Sequence, residues 1–500
     1  MMPGALVFVG FMGAGKSTAA RAASDALGRP LVDIDAQIET DAGRTIPQLF
    51  ESEGEAGFRA IEERTILDVL GRVAEGTPVA LGGGALGSTR VVEALKDHTV
   101  CWLEIDEATA WRRVKRSDRP LARDKEGFAR LFAERLPVYE AAADVFLPQG
   151  GRTFMGTAVA RLLEAGGGRR LAFARAGDAV YPVWFGNRVW PATDAETDVL
   201  ITDANVGAAH GSRLEHLRRL TMQPGEAHKT LATAEELWTG LAKLGATRAS
   251  RVIALGGGVV GDVAGFVAAS YQRGVPVVQV PTTLVAQIDS ALGGKTGVDL
   301  PAAKNYVGAY HQPEAVHVIP RVLETLPAAE RAAGYAEVVK TGIIAGGPLW
   351  ERIRGGAIDD PDTVLGCARV KLDVVSRDER DGGPRQLLNL GHTVGHAIET
   401  VTEYRRYRHG EAVGLGLLAV LRLSGQDALR DEVETLLAAM DLPVTMDPSI
   451  DPEAVVAATR SDKKRLGAHV PYVVVDAPGR LRWGQEIDDA AVLAAVKELR

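Results

Sequence analysis

The sequence predicts an α/β protein in which a parallel-sheet domain is followed by a second α/β domain and then by a mainly helical domain. Short apolar runs in both halves end at glycine or aspartate and lead into helical patterns, which is typical of parallel sheets. From about residue 330 the pattern becomes helical almost throughout, and no run bounded like a strand appears between Ala412 and Met440. The length of 500 residues fits roughly three domains.

Composition restricts the class of protein and its partners. The apolar share of 46% is sufficient for sizeable cores, and two cysteines, Cys101 and Cys367, cannot form a disulfide framework, so we expect a cytoplasmic location. The formal charge of -8 comes without a long block of like charges, which argues against nucleic acid. The apolar start, Met1 to Gly10, is too short to span a membrane and predicts a first buried strand. Small-molecule substrates are therefore the expected partners.

The first strand leads directly into a glycine-rich loop that satisfies G-x-x-x-x-G-K-[ST]. In this strand-then-helix context the loop amides cradle nucleotide phosphates, Lys16 reaches the transferred phosphate, and Ser17 offers its hydroxyl to magnesium. A glycine-rich turn without a ligand is the alternative. The predicted cofactor-binding residues are Gly13, Ala14, Gly15, Lys16, Ser17 and Thr18.

Two carboxylates and an arginine downstream indicate what accepts the phosphate. Leu31 to Asp35 reads as a second strand whose alternation places Asp33 and Asp35 on one face, at the end where open α/β sheets bind ligands. Arg59 and Glu62 stand about one helical turn apart, so the acid can brace the guanidinium for a carboxylate substrate. A surface salt bridge is the commoner explanation of such a pair.

Glycines after the apolar run Pro78 to Leu81, and two later cations, complete a pattern that resembles shikimate kinase over residues 1 to about 160. The resemblance implies a kinase that uses ATP and Mg²⁺, with Lys16 and Arg119 as catalytic residues and Arg119 in a lid over ATP. It implies magnesium contacts for Asp33 and Ser17. The residues that would hold shikimate are Asp35, Arg59, Gly83 and Arg135. The charged segment Ala122 to Glu126 and the loop near Gln149 to Arg152 depart from the family pattern.

A glycine run at Gly166 to Gly168 indicates a flexible connector, which we place at residues 166–171. The predicted domains are 1–165, 172–328 and 329–500. In the middle domain, strands predicted at Tyr181 to Phe185 and Val199 to Asp203 and a helix at Ala234 to Leu244 indicate a second parallel α/β sheet. We expect an active site in the cleft between the last two domains.

A histidine-rich stretch predicts a metal site in the last domain. At helical pitch His392 and His396 share one face, and His409 with a carboxylate such as Glu337 could complete a catalytic site for a divalent metal. Alternatively, the two histidines only fill a polar interior. Upstream, the run Arg251 to Leu255 leads into Gly256–Gly258, so that backbone amides can meet a phosphate or pyrophosphate.

Together with Pro281 to Ser290 and Gly293 to Gly297, these motifs resemble 3-dehydroquinate synthase from about Ala172 to the C-terminus. The resemblance implies that NAD is a cofactor of this half. It also implies that Glu337, His392 and His409 bind Zn²⁺ or Co²⁺. A homodimer through this half is a further possibility. The implied NAD contacts are Asp203, Asn205, Glu226, Lys229, Gly258, Val259, Val260, Gly261, Asp262, Thr282, Thr283, Lys295, Lys304 and Thr325. The implied substrate pocket comprises Arg273, Asp289, Lys295, Asn305, Lys340, Lys371, Arg385, Asn389 and one of Lys463 and Lys464. Lys295, Lys340, Arg385, Asn389 and His396 would be catalytic, with His396 behind the metal ligands or in proton transfer.

The family substrate, 3-deoxy-D-arabino-heptulosonate 7-phosphate, carries a carboxylate and a phosphate, so several cations must converge on it. The implied chemistry is oxidation by NAD, elimination of phosphate, return of the hydride and an intramolecular aldol closure. Three alternatives remain. The second half could be a zinc or iron polyol dehydrogenase or a cyclase for another sugar phosphate, and the first half could be a nucleotide-sensing module without catalysis.

Overall fold

The computed structural model describes residues 4–115, 124–148, 152–164, 170–177, 179–301, 303–460 and 470–500. These residues form two compact units, Met1–Phe185 and Gly186–Arg500. The boundary between the units lies after the connector expected at 166–171, and a strand begins at Arg170, inside that segment. Among the described residues, no helix is both long and apolar enough to cross a membrane.

The first unit contains a sheet with the order β2-β3-β1-β4-β5-β6-β7. Its strands are β1 (Leu6–Val9), β2 (Val32–Asp33), β3 (Pro78–Ala80), β4 (Thr99–Leu103), β5 (Val145–Leu147), β6 (Arg170–Ala176) and β7 (Ala179–Phe185). All neighbours are parallel except β6 and β7, which form an antiparallel hairpin. The fully buried β1 lies between β3 and β4 and confirms the predicted first strand. The strand predicted at Tyr181 to Phe185 exists, but its antiparallel pairing and its place in this unit differ from the prediction.

Seven helices accompany these strands among the residues that the structure describes in this unit. They are α1 (Lys16–Leu27), α2 (Ile34–Ala42), α3 (Ile46–Arg72), α4 (Thr89–Ala94), α5 (Glu107–Val114), α6 (Lys125–Ala142) and α7 (Arg152–Glu164). Helix α3 begins with a capping box, in which Thr45 accepts from the amide of Gln48 and the Gln48 side chain accepts from the amide of Thr45. A non-helical Gly54, with φ 69°, interrupts α3 before the segment that carries Arg59.

One local prediction in this unit is wrong. Asp35 was expected on a strand beside Asp33, but β2 ends at Asp33 and α2 begins at Ile34. The Asp33 carboxylate accepts hydrogen bonds from the amides of Asp35 (3.1 Å) and Ala36 (3.5 Å), so it caps the helix. Aspartate is among the preferred N-cap residues because it satisfies these free amides, which ends the strand early.

The second unit has a parallel sheet with the order β14-β11-β10-β8-β9, which confirms the second α/β sheet. Its strands and two antiparallel hairpins are β8 (Asp198–Asp203), β9 (Arg218–Met222), β10 (Arg251–Gly256), β11 (Val277–Pro281), β12 (Lys295–Leu300), β13 (Ala303–Tyr310), β14 (Ala315–Val318), β15 (Tyr472–Ala477) and β16 (Arg480–Gln485). Strand β8 leads to β9 on one side, whereas β10 leads to β11 on the other. The order of the sheet therefore reverses between β8 and β10.

The helices of this unit confirm the helical character of the last third. They are α8 (Ala204–His210), α9 (Leu231–Lys243), α10 (Gly258–Ser270), α11 (Ala328–Ala345), α12 (Gly347–Arg354), α13 (Pro361–Arg377), α14 (His392–Val401), α15 (His409–Leu423), α16 (Asp427–Ala439), α17 (Pro452–Thr459) and α18 (Asp489–Lys497). No strand lies between Ala412 and Met440, as predicted. The hairpin of β15 and β16 was not predicted.

Glycines allow α14 and α15 to pack in close contact. A Cβ on Gly416 would lie 2.0 Å from the carbonyl oxygen of Gly391, and a Cβ on Gly395 would lie 3.0 Å from that of Ala412. A Cβ on Gly410 would lie 1.7 Å from the carbonyl oxygen of Ala333 in α11. Any side chain at these positions would separate the three helices that carry the histidines and Glu337.

Candidate functional site

The phosphate loop of the first unit has the backbone that its motif requires. Gly13 and Gly15 adopt φ of 83° and 96°, in the left-handed region that favours glycine, and α1 starts at Lys16. The free amides of the first helical turn therefore open onto the loop, where they favour an anion. The Lys16 ammonium donates to the carbonyl oxygens of Gly10 (2.9 Å) and Phe11 (3.3 Å).

Beside this loop is a cavity of about 810 Å³. Three of the four residues predicted to bind the acceptor, Arg59, Gly83 and Arg135, line it. Arg135 Nη1 and the Tyr139 hydroxyl both donate to the carbonyl oxygen of Gly83, at 2.7 and 2.5 Å. Arg59 Nη1 donates to Glu62 Oε2 at 2.5 Å, as the spacing of the two residues predicts.

The glycine run Gly82–Gly84 brings the polar groups of this cavity together. A Cβ on the first glycine would lie 2.2 Å from Glu62 Oε1 and 3.1 Å from Asp35 Oδ1. A Cβ on the third would lie 2.4 Å from the Arg59 guanidinium, and one on the second would lie 3.8 Å from Lys16 Nζ. The two carboxylates, the arginine and the phosphate-loop lysine thus converge on one backbone segment that has no side chains.

Tyr139 was not assigned to this site from the sequence, whereas Glu62 was predicted as the brace of Arg59. Burial raises the pKa of Glu62, although the charge of Arg59 opposes this shift. Burial raises the pKa of Tyr139 to about 12, so the hydroxyl keeps its proton as a donor. The sequence signal for Tyr139 is its position four residues after Arg135, on the same face of α6. The predicted lid residue Arg119 lies outside the described residues, and Asp33 caps α2.

In the second unit, the predicted nucleotide contacts lie at the sheet reversal. Thr202 of β8 pairs with Leu255 of β10, so Asp203 and the glycines from Gly256 onward leave the sheet side by side. Ligands of open α/β sheets bind outside the carboxyl ends of strands at such a reversal. Asp203 caps α8 by accepting from the amide of Val206 at 2.9 Å.

At the carboxyl ends of β8 and β10, the start of α10 has the features of a site for a dinucleotide phosphate. Helix α10 begins at Gly258, so Val259 and Val260 lie in its first turn and Gly261 follows. The buried hydroxyls of Thr282 and Ser290 have no hydrogen-bond partner within the described part of the chain, and a Cβ on Gly258 would lie 3.1 Å from Ser290 Oγ. Free amides, unpartnered hydroxyls and the absence of a side chain at this point suit a phosphate-bearing ligand.

The other predicted NAD contacts surround this site. Lys229, 4% exposed, forms an ion pair at 2.5 Å with Asp262, which lies in α10. Thr283 Oγ1 accepts from the amide of Ala286, and Thr325 Oγ1 bonds His210 Nε2 at 2.7 Å. Asn205 is exposed in α8, two residues after the strand end.

The histidines form one compact group. His392 and His396 lie one turn apart in α14, as predicted, and His409 opens α15. Nitrogen atoms of the three imidazoles lie within 4.8 Å of one another. In addition, Glu337 Oε1 lies 3.4 Å from Nε2 of both His392 and His409.

This donor set fits a divalent metal. Glu337 Oε2 contacts the Lys340 ammonium, whereas the buried Oε1 has no hydrogen-bond partner among the described residues, and a cation between Oε1 and the two Nε2 atoms would satisfy it. The other nitrogen of each imidazole is engaged, His392 Nδ1 with the carbonyl oxygen of Leu390 at 3.1 Å and His409 Nδ1 with Glu399 Oε2 at 3.3 Å. Such bonds are the usual support of metal-bound histidines because they fix the ring and its tautomer.

The charges of the site agree with a cation at this position. Burial opposes ionisation of Glu337, but Lys340, His392 and His409 outweigh it and hold its pKa well below the ordinary value. Burial and the charge of Lys340 lower the pKa of His392 well below its ordinary value, which favours the neutral ligand form. For His409, hydrogen bonds to Glu337 and Glu399 outweigh burial and raise the pKa to about 10, so a metal would displace a proton there.

A chain of ion pairs, in which lysines and carboxylates alternate, extends from Glu337 away from the histidines. Lys340, 1% exposed, contacts Glu337 and lies 3.5 Å from Asp289, which also pairs with Lys371. Burial opposes ionisation of Asp289, but Lys371 and Lys340 outweigh it and lower its pKa. The carboxylate of Asp289 thus holds two buried ammonium groups beside the metal site.

Two further predicted substrate residues lie in the same region. Arg385, 1% exposed, donates to the carbonyl oxygens of Glu379 and Gly293, the second at 3.3 Å. Lys295, at the start of β12, pairs with Asp381, and Arg385 Nε lies 3.8 Å from the same carboxylate. The ionic groups of this region therefore form two sets, one in which Asp289 pairs with Lys340 and Lys371 and one in which Asp381 pairs with Lys295 and lies near Arg385.

Three other predicted substrate residues lie on a turn, on a hairpin strand and at the end of a short helix. Arg273 lies in an exposed turn with φ 71°, and within the described ranges it forms no hydrogen bond or ion pair with this group. Asn305, with φ 53°, is exposed on β13, where its amide donates to Asp299 at 2.6 Å. Asn389 ends the short helix before the histidines. Lys463 and Lys464 lie outside the described residues.

Comparisons with known proteins match both halves of the chain. Family models described as 3-dehydroquinate synthase N-terminal and C-terminal match residues 219–333 and 334–465, and shikimate kinase matches residues 12–164. A 3-dehydroquinate synthase of Symbiobacterium thermophilum is 40% identical over 324 residues, 60% of this chain and 90% of that protein. That of Caulobacter vibrioides is 40% identical over 327 residues, with 60% and 88% covered. A crystal structure of 2-deoxy-scyllo-inosose synthase with carbaglucose-6-phosphate, NAD+ and Co2+ is 25% identical, with a TM-score of 0.59 over 66% of this chain and 99% of that chain.

Proposed function

Because this chain belongs to the 3-dehydroquinate synthase family and carries a shikimate kinase domain in front of it, we propose two specific reactions for this bifunctional shikimate-pathway enzyme. The first is ATP-dependent phosphorylation of the 3-hydroxyl of shikimate. The second converts 3-deoxy-D-arabino-heptulosonate 7-phosphate into 3-dehydroquinate and phosphate. We assign the first reaction to residues 1–165 and the second to 172–328 and 329–500, in a cytoplasmic enzyme.

In the kinase half, the cavity beside the phosphate loop would hold shikimate. Arg59, braced by Glu62, and Arg135 would bind the carboxylate, because a planar guanidinium matches a carboxylate in two parallel hydrogen bonds. Asp35 would accept from a ring hydroxyl. Lys16 would bind the transferred phosphate of ATP, with Ser17 and Asp33 at the Mg²⁺ ion.

In the synthase half, the pocket beside the histidines would hold the heptulosonate phosphate. When bound, the metal would polarise the substrate hydroxyl, and NAD would accept the hydride and return it. Lys371, Lys295 and Arg385 would bind the phosphate and carboxylate, in place of the internal carboxylates that they contact here. Lys340 would keep Glu337 ionised and close to the histidines.

One observation carries the synthase assignment. The carboxylate of Glu337 is 1% exposed, and its Oε2 contacts the Lys340 ammonium, whereas its Oε1 has no hydrogen-bond partner among the described residues and faces Nε2 of two histidines at 3.4 Å. A buried carboxylate oxygen without a partner is destabilising, and a cation bound between Oε1 and the two imidazoles would satisfy it. A polyol dehydrogenase would share such a site, but it would have no phosphate to bind with Lys371, Lys295 and Arg385.

The test is to assay the purified chain with both substrate pairs. ADP formation should require shikimate, and release of inorganic phosphate from the heptulosonate phosphate should require NAD and Zn²⁺ or Co²⁺. Arg59→Met should abolish only the first activity and Lys340→Met only the second, so each variant is the control for the other. Phosphate release from a hexose 6-phosphate, without release from the heptulosonate, would favour a cyclase for another sugar phosphate.

A further inference from the structure

Glu399 connects two groups that the proposed function assigns to different ligands. Its carboxylate, 2% exposed, lies at the end of α14, with Oε2 3.3 Å from His409 Nδ1 and Oε1 3.4 Å from Lys304 Nζ. Burial opposes ionisation of this carboxyl, but His409 and Lys304 hold its pKa at about 2.

On the metal side, Glu399 fixes the orientation of one imidazole. His409 lies at the start of α15, and its ring is held between Glu399 Oε2 at Nδ1 and Glu337 Oε1 at Nε2, 3.3 and 3.4 Å away. A carboxylate at Nδ1 directs Nε2 toward the metal and makes it a better donor.

On the cofactor side, Glu399 shares Lys304 with a second carboxylate. Lys304 Nζ lies 3.6 Å from Glu226 Oε1, and 4.2 Å from the centre of the Tyr404 ring. Lys304 and Glu226 are both proposed NAD contacts. A lysine that pairs with the pyrophosphate of a dinucleotide shares less of its charge with Glu399.

We propose that Glu399 is a positioning residue that couples the metal site to the cofactor site, so that bound NAD strengthens metal binding. The inference rests on the proposed function, because it takes metal and NAD as ligands of this half. As Lys304 engages the cofactor, the full charge of Glu399 acts on His409, and its Nε2 binds the metal more tightly. By linkage, metal strengthens NAD binding by the same factor.

The experiment measures binding without turnover. Co²⁺ affinity is determined from the visible absorption of the cobalt-loaded full chain, with and without saturating NAD, and NAD affinity is determined by calorimetry with and without Co²⁺. We expect NAD to tighten Co²⁺ binding about fivefold or more in the unmodified chain. Glu399→Gln should weaken Co²⁺ binding about tenfold to a hundredfold and remove the effect of NAD.

Two further variants distinguish a positioning role of Glu399 from an unspecific effect of substitution on the folded protein. Lys304→Met, at a side chain that is 27% exposed, removes the partner of Glu399 permanently, so without NAD it should bind Co²⁺ about as tightly as the unmodified chain does with NAD, and added NAD should have no further effect. Glu403→Gln is the matched control, because Glu403 is exposed just beyond α14 and pairs with Arg405. It should preserve both affinity and coupling. Should Glu399→Gln fail to fold, Lys304→Met decides the matter.

Unchanged Co²⁺ affinity in Glu399→Gln, or full coupling in Lys304→Met, would overturn the inference while leaving the proposed function intact. Failure of the unmodified chain to bind either Co²⁺ or NAD would instead overturn the proposed function itself. The two failures are therefore distinguishable.

Discussion

Replacing Gly82 with alanine should selectively weaken shikimate binding. The new Cβ would lie 2.2 Å from Glu62 Oε1 and 3.1 Å from Asp35 Oδ1, and real Cβ atoms do not approach other atoms within 3.0 Å. The carboxylate of Glu62, which is 2% exposed and accepts from Arg59, must therefore shift from its present position, and we expect this bond to be disturbed. Arg59 would lose the support that holds it for the substrate carboxylate, and loss of one charge-assisted hydrogen bond to shikimate would cost about 1.5 to 3 kcal/mol, or about tenfold to a hundredfold in affinity. Calorimetric titration with shikimate and, separately, with ATP measures the effect.

ATP affinity should change less than about threefold, because the phosphate loop does not contact the new methyl group. Gly71→Ala is the control for alanine substitution in the same unit, since nothing lies within 4 Å of its Cβ in α3. It should leave both affinities unchanged and stabilise the helix slightly. Wild-type shikimate affinity in a folded Gly82→Ala chain would refute the placement of Glu62 and Asp35 at the acceptor site.

Other substitutions test the separate sites. Lys16→Ala should abolish phosphorylation of shikimate and leave dehydroquinate formation nearly unchanged, and a parallel loss of both activities in the folded chain would contradict independent sites. Asp35→Ala and Arg59→Ala should each weaken shikimate binding by about tenfold to a hundredfold and ATP binding far less, as titration with each ligand will show. A zinc-selective chelator followed by added Mg²⁺ should stop the synthase and spare the kinase in coupled assays. Elemental analysis should find no bound metal in His392→Ala but a full equivalent in His396→Ala; retention of metal in His392→Ala would contradict the ligand assignment, and its loss in both variants would favour a site of His392, His396 and His409.

The short motifs could be predicted from the sequence because each acts within one or two turns of chain. The phosphate loop needs glycines at positive φ between a strand and a helix, and Gly13 and Gly15 supply them. His392 and His396 share a face because the helical pitch requires it. The Arg59–Glu62 pair follows from the same spacing.

Only the tertiary structure decided which distant groups meet. Asp289 and Lys371 are 82 residues apart, and Tyr139 and Gly83 are 56 apart, yet each pair is in hydrogen-bond contact. No local periodicity marks such partners, because their contact depends on how helices and hairpins pack.

The same limit explains the one wrong local prediction and the missed role of Glu399. Asp35 fitted a strand by alternation, but the capping hydrogen bonds of Asp33 began a helix instead. Glu399 was visible within the histidine stretch, but its role depends on contacts with His409 and Lys304, which approach from a different helix and a hairpin. The local sequence therefore determined which chemical groups are present. The packing of segments that are far apart in the sequence determined which of these groups form ion pairs and which face the same ligand.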